Sequence, residues 1–151
     1  MIRHTRSLVA ALGLGLFAVF AHAQATPAGL WKTIDDETKK EKSLIRITES
    51  DGVFAGKLEK LLDPTAKADA VCDKCSDERK DKPLVGMTII QRVKHSADDP
   101  DRWDGGEILD PNNGKTYKVR LTPADGGKRL DVRGYIGAPL LGRTQTWIRV
   151  E

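Results

Sequence analysis

Residues 43–62 read SLIRITESDGVFAGKLEKLL and predict a β-hairpin. Apolar and polar residues alternate from Ser43 to Glu49 and include β-branched types, a pattern typical of a strand with one buried face. Asp51-Gly52 is a strong signal for a tight hairpin turn. The chain then returns with Phe54 and Leu58 on one face. Two antiparallel strands joined by a tight turn are therefore expected here.

The same alternation recurs along the rest of the chain. Further strands are predicted at residues 30–33, 87–93, 103–109, 115–122, 129–135 and 144–150. Turn-forming residues, such as Asp110-Pro111-Asn112-Asn113-Gly114, separate most of them. About eight short strands in regular succession predict an all-β sandwich or barrel. We favour an eight-stranded antiparallel up-and-down barrel, because sequential hairpins close a sheet without the long crossings of a Greek key.

The first 23 residues predict an export signal. Arg3 and Arg6 precede an apolar run at residues 8–20, and Ala21-His22-Ala23 supplies small residues for a signal peptidase. The run is too short to anchor stably across a bilayer core. We therefore expect a mature chain of one domain, residues 24–151, that is periplasmic or secreted and does not span a membrane.

The charge pattern argues against nucleic acid as a partner. The full chain has 25 basic and 22 acidic side chains, and the leader contains two of the basic ones, so the mature charge is 23 − 22 = +1. Both signs are interleaved, as in Lys39-Lys40-Glu41-Lys42, and no stripe of one sign is present. Because a closed barrel has no free edge, we expect a monomer.

Cys72 and Cys75 are the only cysteines, and their spacing is compatible with a structural disulfide, a redox site or a metal site. A local structural disulfide is favoured, because exported chains with two cysteines usually pair them. The CxxC spacing also occurs in redox sites, but residues 63–70 do not read as the buried strand that leads into such a site. A zinc site needs more ligands than these and His95, the only mature histidine, provide.

The sequence contains no recognisable catalytic constellation. His95 lies in a polar turn, and a Ser-His-Asp or Cys-His site needs a histidine base. Asp104 and Glu107 are three residues apart, so on a strand they face opposite sides. No catalytic residue, metal site or cofactor is predicted.

Arginines and aromatic residues lie close together on several predicted strands. We expect Trp31, Trp147 and Arg149 to brace one end of the barrel by stacking. For Tyr117, Arg133 and Tyr135, bracing and lining a cavity remain equally open. Residues 138–141 are expected to form a tucked apolar connection into the last strand.

Several longer motifs resemble a bacterial family of exported proteins known as a domain of unknown function, numbered 2147. They are GLW at 29–31, KPLVGM at 82–87, WDGGEI at 103–108, GKTY at 114–117, VRGYIG at 132–137 and PLLGRTQTW at 139–147. The resemblance implies a lipocalin-like barrel and an exported location, but no established activity. The GLW opening is also similar to that of lipocalins, which implies that Trp31 closes the barrel floor against a late basic residue.

The leading hypothesis is a barrel that binds a small amphipathic or apolar molecule in its cavity. The residues expected to line or gate that cavity are Trp103, Glu107, Tyr117, Arg133, Tyr135 and Gln145. The alternative is an envelope protein with a filled barrel that acts through surface contacts, with the charged segment 65–82 as the contact region. An enzyme that uses Asp104, Glu107 or the cysteines is the least favoured of the three classes.

Overall fold

Eight antiparallel strands pair in sequence order and close into a barrel. The computed structural model describes residues 25–151, so the predicted export signal lies outside the described residues. The strands are β1 (Gly29–Ile34), β2 (Glu41–Ser50), β3 (Val53–Leu61), β4 (Thr88–His95), β5 (Trp103–Asp110), β6 (Lys115–Ala124), β7 (Arg129–Tyr135) and β8 (Arg143–Arg149). The predicted eight-stranded up-and-down barrel is confirmed.

The connections divide the barrel into two unlike ends. The loops after β1, β3, β5 and β7, residues 35–40, 62–87, 111–114 and 136–142, lie at one end, which we call the mouth. The turns after β2, β4 and β6 lie at the other end, the floor, together with residues 25–28. The single long connection, between β3 and β4, therefore belongs to the mouth. Within residues 25–151, no helix is long and apolar enough to cross a bilayer.

The floor is closed by a tryptophan beneath an arginine. Trp31 is fully buried, and the Arg149 guanidinium carbon lies 4.1 Å from the centroid of its ring. Arg149 also donates hydrogen bonds to the carbonyl oxygens of Ala28 (2.8 Å) and Thr26 (2.9 Å). The predicted stacking is found for Trp31 and Arg149, whereas Trp147, predicted to brace the same end, directs its indole N–H to Gln145 instead. The cation–π contact ties β1 to β8, the strand pair that closes the sheet.

Glycine is required at position 29 for this closure. Its φ is +142°, and a Cβ built there would lie 2.4 Å from a terminal nitrogen of the Arg149 guanidinium. Any larger residue would displace the arginine from its position above Trp31. The glycine and tryptophan of the GLW motif therefore act on the same contact.

Large apolar side chains fill the half of the barrel nearest the floor. Phe54 and Trp103 meet edge to face, with ring centroids 6.2 Å apart. Four more side chains point inward in the same half, as the alternating pattern predicts, and all are buried: Ile47, Val93, Leu121 and Leu130. The floor half is therefore a packed core.

The long β3–β4 loop is held in place by several contacts, and the cysteines form part of them. Cys72 and Cys75 are joined by a disulfide and are both buried. Arg79 donates hydrogen bonds to the carbonyl oxygen of Thr88 and to Oγ1 of Thr116, both at 3.3 Å. Gly114 lies so close to this loop that a Cβ there would be 1.8 Å from the carbonyl oxygen of Lys74. The loop is thus fastened to β4 and to the β5–β6 connection.

We expect the Cys72→Ala/Cys75→Ala variant to lose about 2 kcal/mol of unfolding free energy. A ring closed by two nearby cysteines removes only a small amount of unfolded-chain entropy, which limits the effect to this size. Urea unfolding followed by circular dichroism would measure it, with the exposed Ser76→Ala change in the same loop as the control. An unchanged unfolding midpoint would contradict a stabilising role for the bridge.

Candidate functional site

A cavity of about 800 Å³ enters the barrel from the mouth. Its volume lies within the range of about 300–1,000 Å³ that is usual for small-molecule sites. Most of its wall comes from side chains in the halves of the strands nearest the mouth and from the β3–β4 loop. The apolar members include Ile45, Leu58, Leu61, Leu84, Ile89, Ile108 and Val132. The space begins where the packed residues of the floor end.

Part of the wall is polar, and we call this part the polar strip: Thr33, Ser43, Gln145 and Trp147. Oγ1 of Thr33 and Oγ of Ser43 are 2.8 Å apart and share a hydrogen bond between neighbouring strands. Nε1 of Trp147 lies 3.5 Å from Oε1 of Gln145, to which it donates. All four residues line the cavity. The strip follows β8, β1 and β2, so it occupies one side of the cavity.

The cations at the cavity are paired with carboxylates. Lys42 Nζ is 3.5 Å from a carboxylate oxygen of Asp35, and Arg143 forms an ion pair with Asp36. Hydrogen bonds from the backbone and the hydroxyl of Thr38 lower the pKa of Asp35 to about 2. Asp35 is therefore ionised at neutral pH and neutralises Lys42.

The mouth also contains carboxylates beyond those two ion pairs. Glu37, Asp63 and Asp110 line the same opening. A hydrogen bond from the Thr65 hydroxyl is the main cause that lowers the pKa of Asp63. Lys40 and Lys42 lie near enough to Asp63 to favour its charged form, but among the residues that line the cavity the carboxylates outnumber the cations.

The structure brings some of the six predicted lining residues to the cavity. Tyr117 and Gln145 line its wall. Tyr135 borders it at the rim, and the guanidinium carbon of Arg120 lies 5.7 Å from the centroid of its ring. Arg120 and Tyr135 alternate with the inward Val119 and Gly134, so this stacked pair covers the outer surface.

The other three predicted lining residues lie elsewhere, and their placement corrects the expectation. Trp103 faces inward but is at the floor, where it packs against Phe54. Glu107 is on the outer face of β5, where it accepts a hydrogen bond from Gln91 (2.7 Å) and pairs with Arg92 (2.8 Å). Its neighbours along the strand, Gly106 and Ile108, are the inward positions.

Arg133, the third of these residues, shapes the β7–β8 loop from outside the barrel. It donates hydrogen bonds to the carbonyl oxygens of Pro139 (2.8 Å) and Leu140 (3.2 Å). The loop was expected to be tucked, but Leu140 and Leu141 are 87% and 80% exposed. Both leucine side chains are therefore exposed at the mouth, and Leu141 also borders the cavity.

Thr33 and Ser43 line the cavity but are not among the residues that the sequence pattern predicts to do so. Both are at inward positions, since Thr33 alternates with Trp31 and Ser43 alternates with Ile45. The sequence signal that could have identified them is a polar residue two positions from a buried apolar residue on the same strand. Their cross-strand pairing depends on the β1–β2 register, which the sequence pattern alone did not provide.

The side chains considered for catalysis are engaged in separate contacts. Asp104 pairs with Arg102 at 2.8 Å, and His95 Nε2 lies 2.7 Å from the carbonyl oxygen of Pro100 at the floor. Glu107 faces outward, as described above. Among residues 25–151, no group of three or more His, Cys, Asp or Glu side chains is arranged to hold a metal ion.

These features together define a lipocalin-like barrel: eight antiparallel strands, a floor closed by tryptophan and arginine, and a cavity that opens at the other end. A solved structure described as "Protein HP1028 from the human pathogen Helicobacter pylori belongs to the lipocalin family" is similar to this chain. The TM-score is 0.70 with 21% sequence identity, and the match covers 84% of each chain. At this identity the likeness concerns the fold. No curated protein matched the chain.

The family follows from the sequence match over nearly all of the barrel. The model described as "Uncharacterized protein conserved in bacteria (DUF2147)" matches residues 29–149. The chain therefore belongs to this family, as the motifs predicted. The matched region begins at the first strand and ends with the last, so it contains every element that forms the cavity.

Proposed function

We propose that this protein binds a small amphipathic or apolar molecule in the barrel cavity. The observation that carries the proposal is the cavity of about 800 Å³, lined mainly by apolar side chains and open at the mouth. Burial of apolar surface is the dominant driving force for a ligand in such a site. The polar strip and the charged mouth add groups that can orient the ligand.

The alternative, a filled barrel that acts through surface contacts, is less well supported. A filled barrel of this size has no room for a ligand, whereas here the packed side chains occupy the floor half and leave the mouth half open. The segment 65–82, predicted as its contact region, is fastened to the barrel by Arg79. The cavity therefore favours the carrier over the surface-contact protein.

An exported location, in a periplasm or outside the cell, is part of the proposal. The predicted leader is its first support. The disulfide between Cys72 and Cys75 is a second, because such bridges persist in oxidising compartments and are rare in the cytosol. The ligand would then be a molecule of the envelope or of the surroundings.

Native mass spectrometry of the mature protein, purified gently from its own compartment, tests the proposal. We expect a stoichiometric small molecule in addition to the protein mass, which extraction and fragmentation would then identify. Protein unfolded and refolded without extract serves as the unliganded control. A mass that stays that of the bare protein after incubation with envelope extract would contradict the carrier function.

A further inference from the structure

The two sides of the cavity wall differ in chemistry. Strands β3 to β7 contribute apolar side chains such as Leu58, Ile108 and Val132, whereas the polar strip lies on β8, β1 and β2, where it adjoins the apolar Ile45. Thr33 pairs directly with Ser43, and Lys32 pairs with Ile148. Extending the β1–β8 register by one residue sets Thr33 opposite Trp147. The hydroxyl pair and the indole are therefore neighbours around the barrel.

The polar strip contains more hydrogen-bond donors than the bonds within the strip use. The two hydroxyl groups of Thr33 and Ser43 carry two O–H donors, and the bond between them uses one. The Trp147 indole is 2% exposed, and in the described part of the chain its N–H has one partner, Gln145, at 3.5 Å. That distance is beyond the usual 2.7–3.2 Å for such a bond. A ligand acceptor here would gain a donor at little cost.

The charges at the mouth restrict what kind of acceptor fits. Both cations that line the cavity are paired, Lys42 with Asp35 and Arg143 with Asp36. A ligand carboxylate would therefore meet no unpaired cation among the lining residues and would face Asp63 and the other mouth carboxylates. Burying an ionised group without a partner is costly, whereas an uncharged oxygen needs only a hydrogen bond.

We infer that the ligand is an uncharged, largely apolar molecule carrying an oxygen acceptor, such as an ester, ketone or aldehyde, which binds the donors of the polar strip. The inference rests on the proposed function, because it assigns the chemistry of the ligand in the same cavity. The apolar part lies against β3 to β7, and the oxygen faces Thr33, Ser43 and Trp147. A fatty-acid anion of equal chain length is disfavoured.

Paired substitutions and paired probes test this assignment. In the Thr33→Val/Ser43→Ala variant both partners of the hydrogen bond become apolar, a change that is close to neutral for folding. We expect methyl decanoate to bind this variant about two- to tenfold more weakly than it binds the unaltered protein. Decane, which lacks the acceptor, should bind both equally. Displacement of the neutral fluorescent probe N-phenyl-1-naphthylamine gives the affinities.

The control variant is Thr48→Val/Ser50→Ala, which makes the same kinds of change at exposed positions of β2. It should leave both affinities unchanged. The Trp147→Phe variant removes the indole N–H, so it should also weaken the ester more than decane. In the unaltered protein, decanoate should bind more weakly than its methyl ester.

The outcomes separate the two claims. If N-phenyl-1-naphthylamine, decane and methyl decanoate all fail to bind the unaltered protein, the cavity function fails and the inference fails with it. If they bind but the Thr33→Val/Ser43→Ala variant weakens decane as much as the ester, or weakens neither, the assigned role of the polar strip is overturned while the carrier function stands. Tighter binding of decanoate than of its ester would likewise overturn it.

Discussion

The Trp31→Ala variant is expected to lose about 3–5 kcal/mol of unfolding free energy. Trp31 is fully buried, and its Nε1 donates a 2.7 Å hydrogen bond to the carbonyl oxygen of Pro27. Truncation leaves a void at the floor and removes the ring from beneath the Arg149 guanidinium. Burial at the floor lowers the pKa of Arg149, and the guanidinium remains charged at neutral pH. Urea unfolding followed by far-ultraviolet circular dichroism gives the value.

Trp31→Phe is the matched control, because it keeps an aromatic ring beneath Arg149 but loses the indole N–H. Its loss should be smaller than that of the alanine variant, since most of the buried volume is retained. A loss below about 1 kcal/mol for Trp31→Ala would be typical of a surface site and would show that the floor contact does not hold the barrel closed.

Gly134→Leu is expected to weaken binding of N-phenyl-1-naphthylamine by about tenfold or more. Gly134 lines the cavity, and a Cβ built there meets only ordinary contacts, 3.6 Å from Tyr117 Cβ and 3.8 Å from Ile108 Cγ2. Its φ is not positive, so a side chain strains no backbone. The leucine would therefore extend into the space that the ligand needs. Fluorescence titration of the probe measures the effect.

Lys118→Leu provides the control for this test. Lys118 is on the outer face of β6, next to the strand of Gly134, and the change adds the same side chain outside the cavity. It should leave the probe affinity unchanged. Gly134→Ala should have a small effect, since the first carbon is tolerated. Unaltered affinity in a folded Gly134→Leu variant would place the bound probe somewhere other than the cavity.

The sequence predicted the strands well because each strand carries its own signal. The alternation around Ile45 and the Asp51-Gly52 turn are local features, and they predicted β2 and β3 closely. Closure of the sheet was predicted from the succession of hairpins and from the match of Trp31 to a late basic residue. Turn-forming residues between strands, and a tryptophan stacked with a basic residue, have the same roles in many barrels.

The candidate site was predicted only in part. A residue lines the cavity only if its side chain points into the barrel and also lies near the mouth rather than the floor. Arg133 is one residue away from the inward Val132, so the alternation itself placed it on the outer face. Trp103 does face inward, but whether it lies at the floor or the mouth depends on the direction of β5. The exposed Leu140 illustrates a third cause: Arg133 donates a hydrogen bond to its backbone carbonyl, a contact that an alternation of apolar and polar residues does not reveal.

The division between floor and mouth determines where this scaffold can accept change. At the floor, Gly29, Trp31 and Arg149 depend on one another, so substitution at one position requires an adjustment at the others. At the mouth, four separate loops border the cavity, and loops tolerate replacement and insertion far better than packed strands. New ligand preferences can therefore arise, or be engineered, by exchanging mouth loops while the closure of the barrel stays intact.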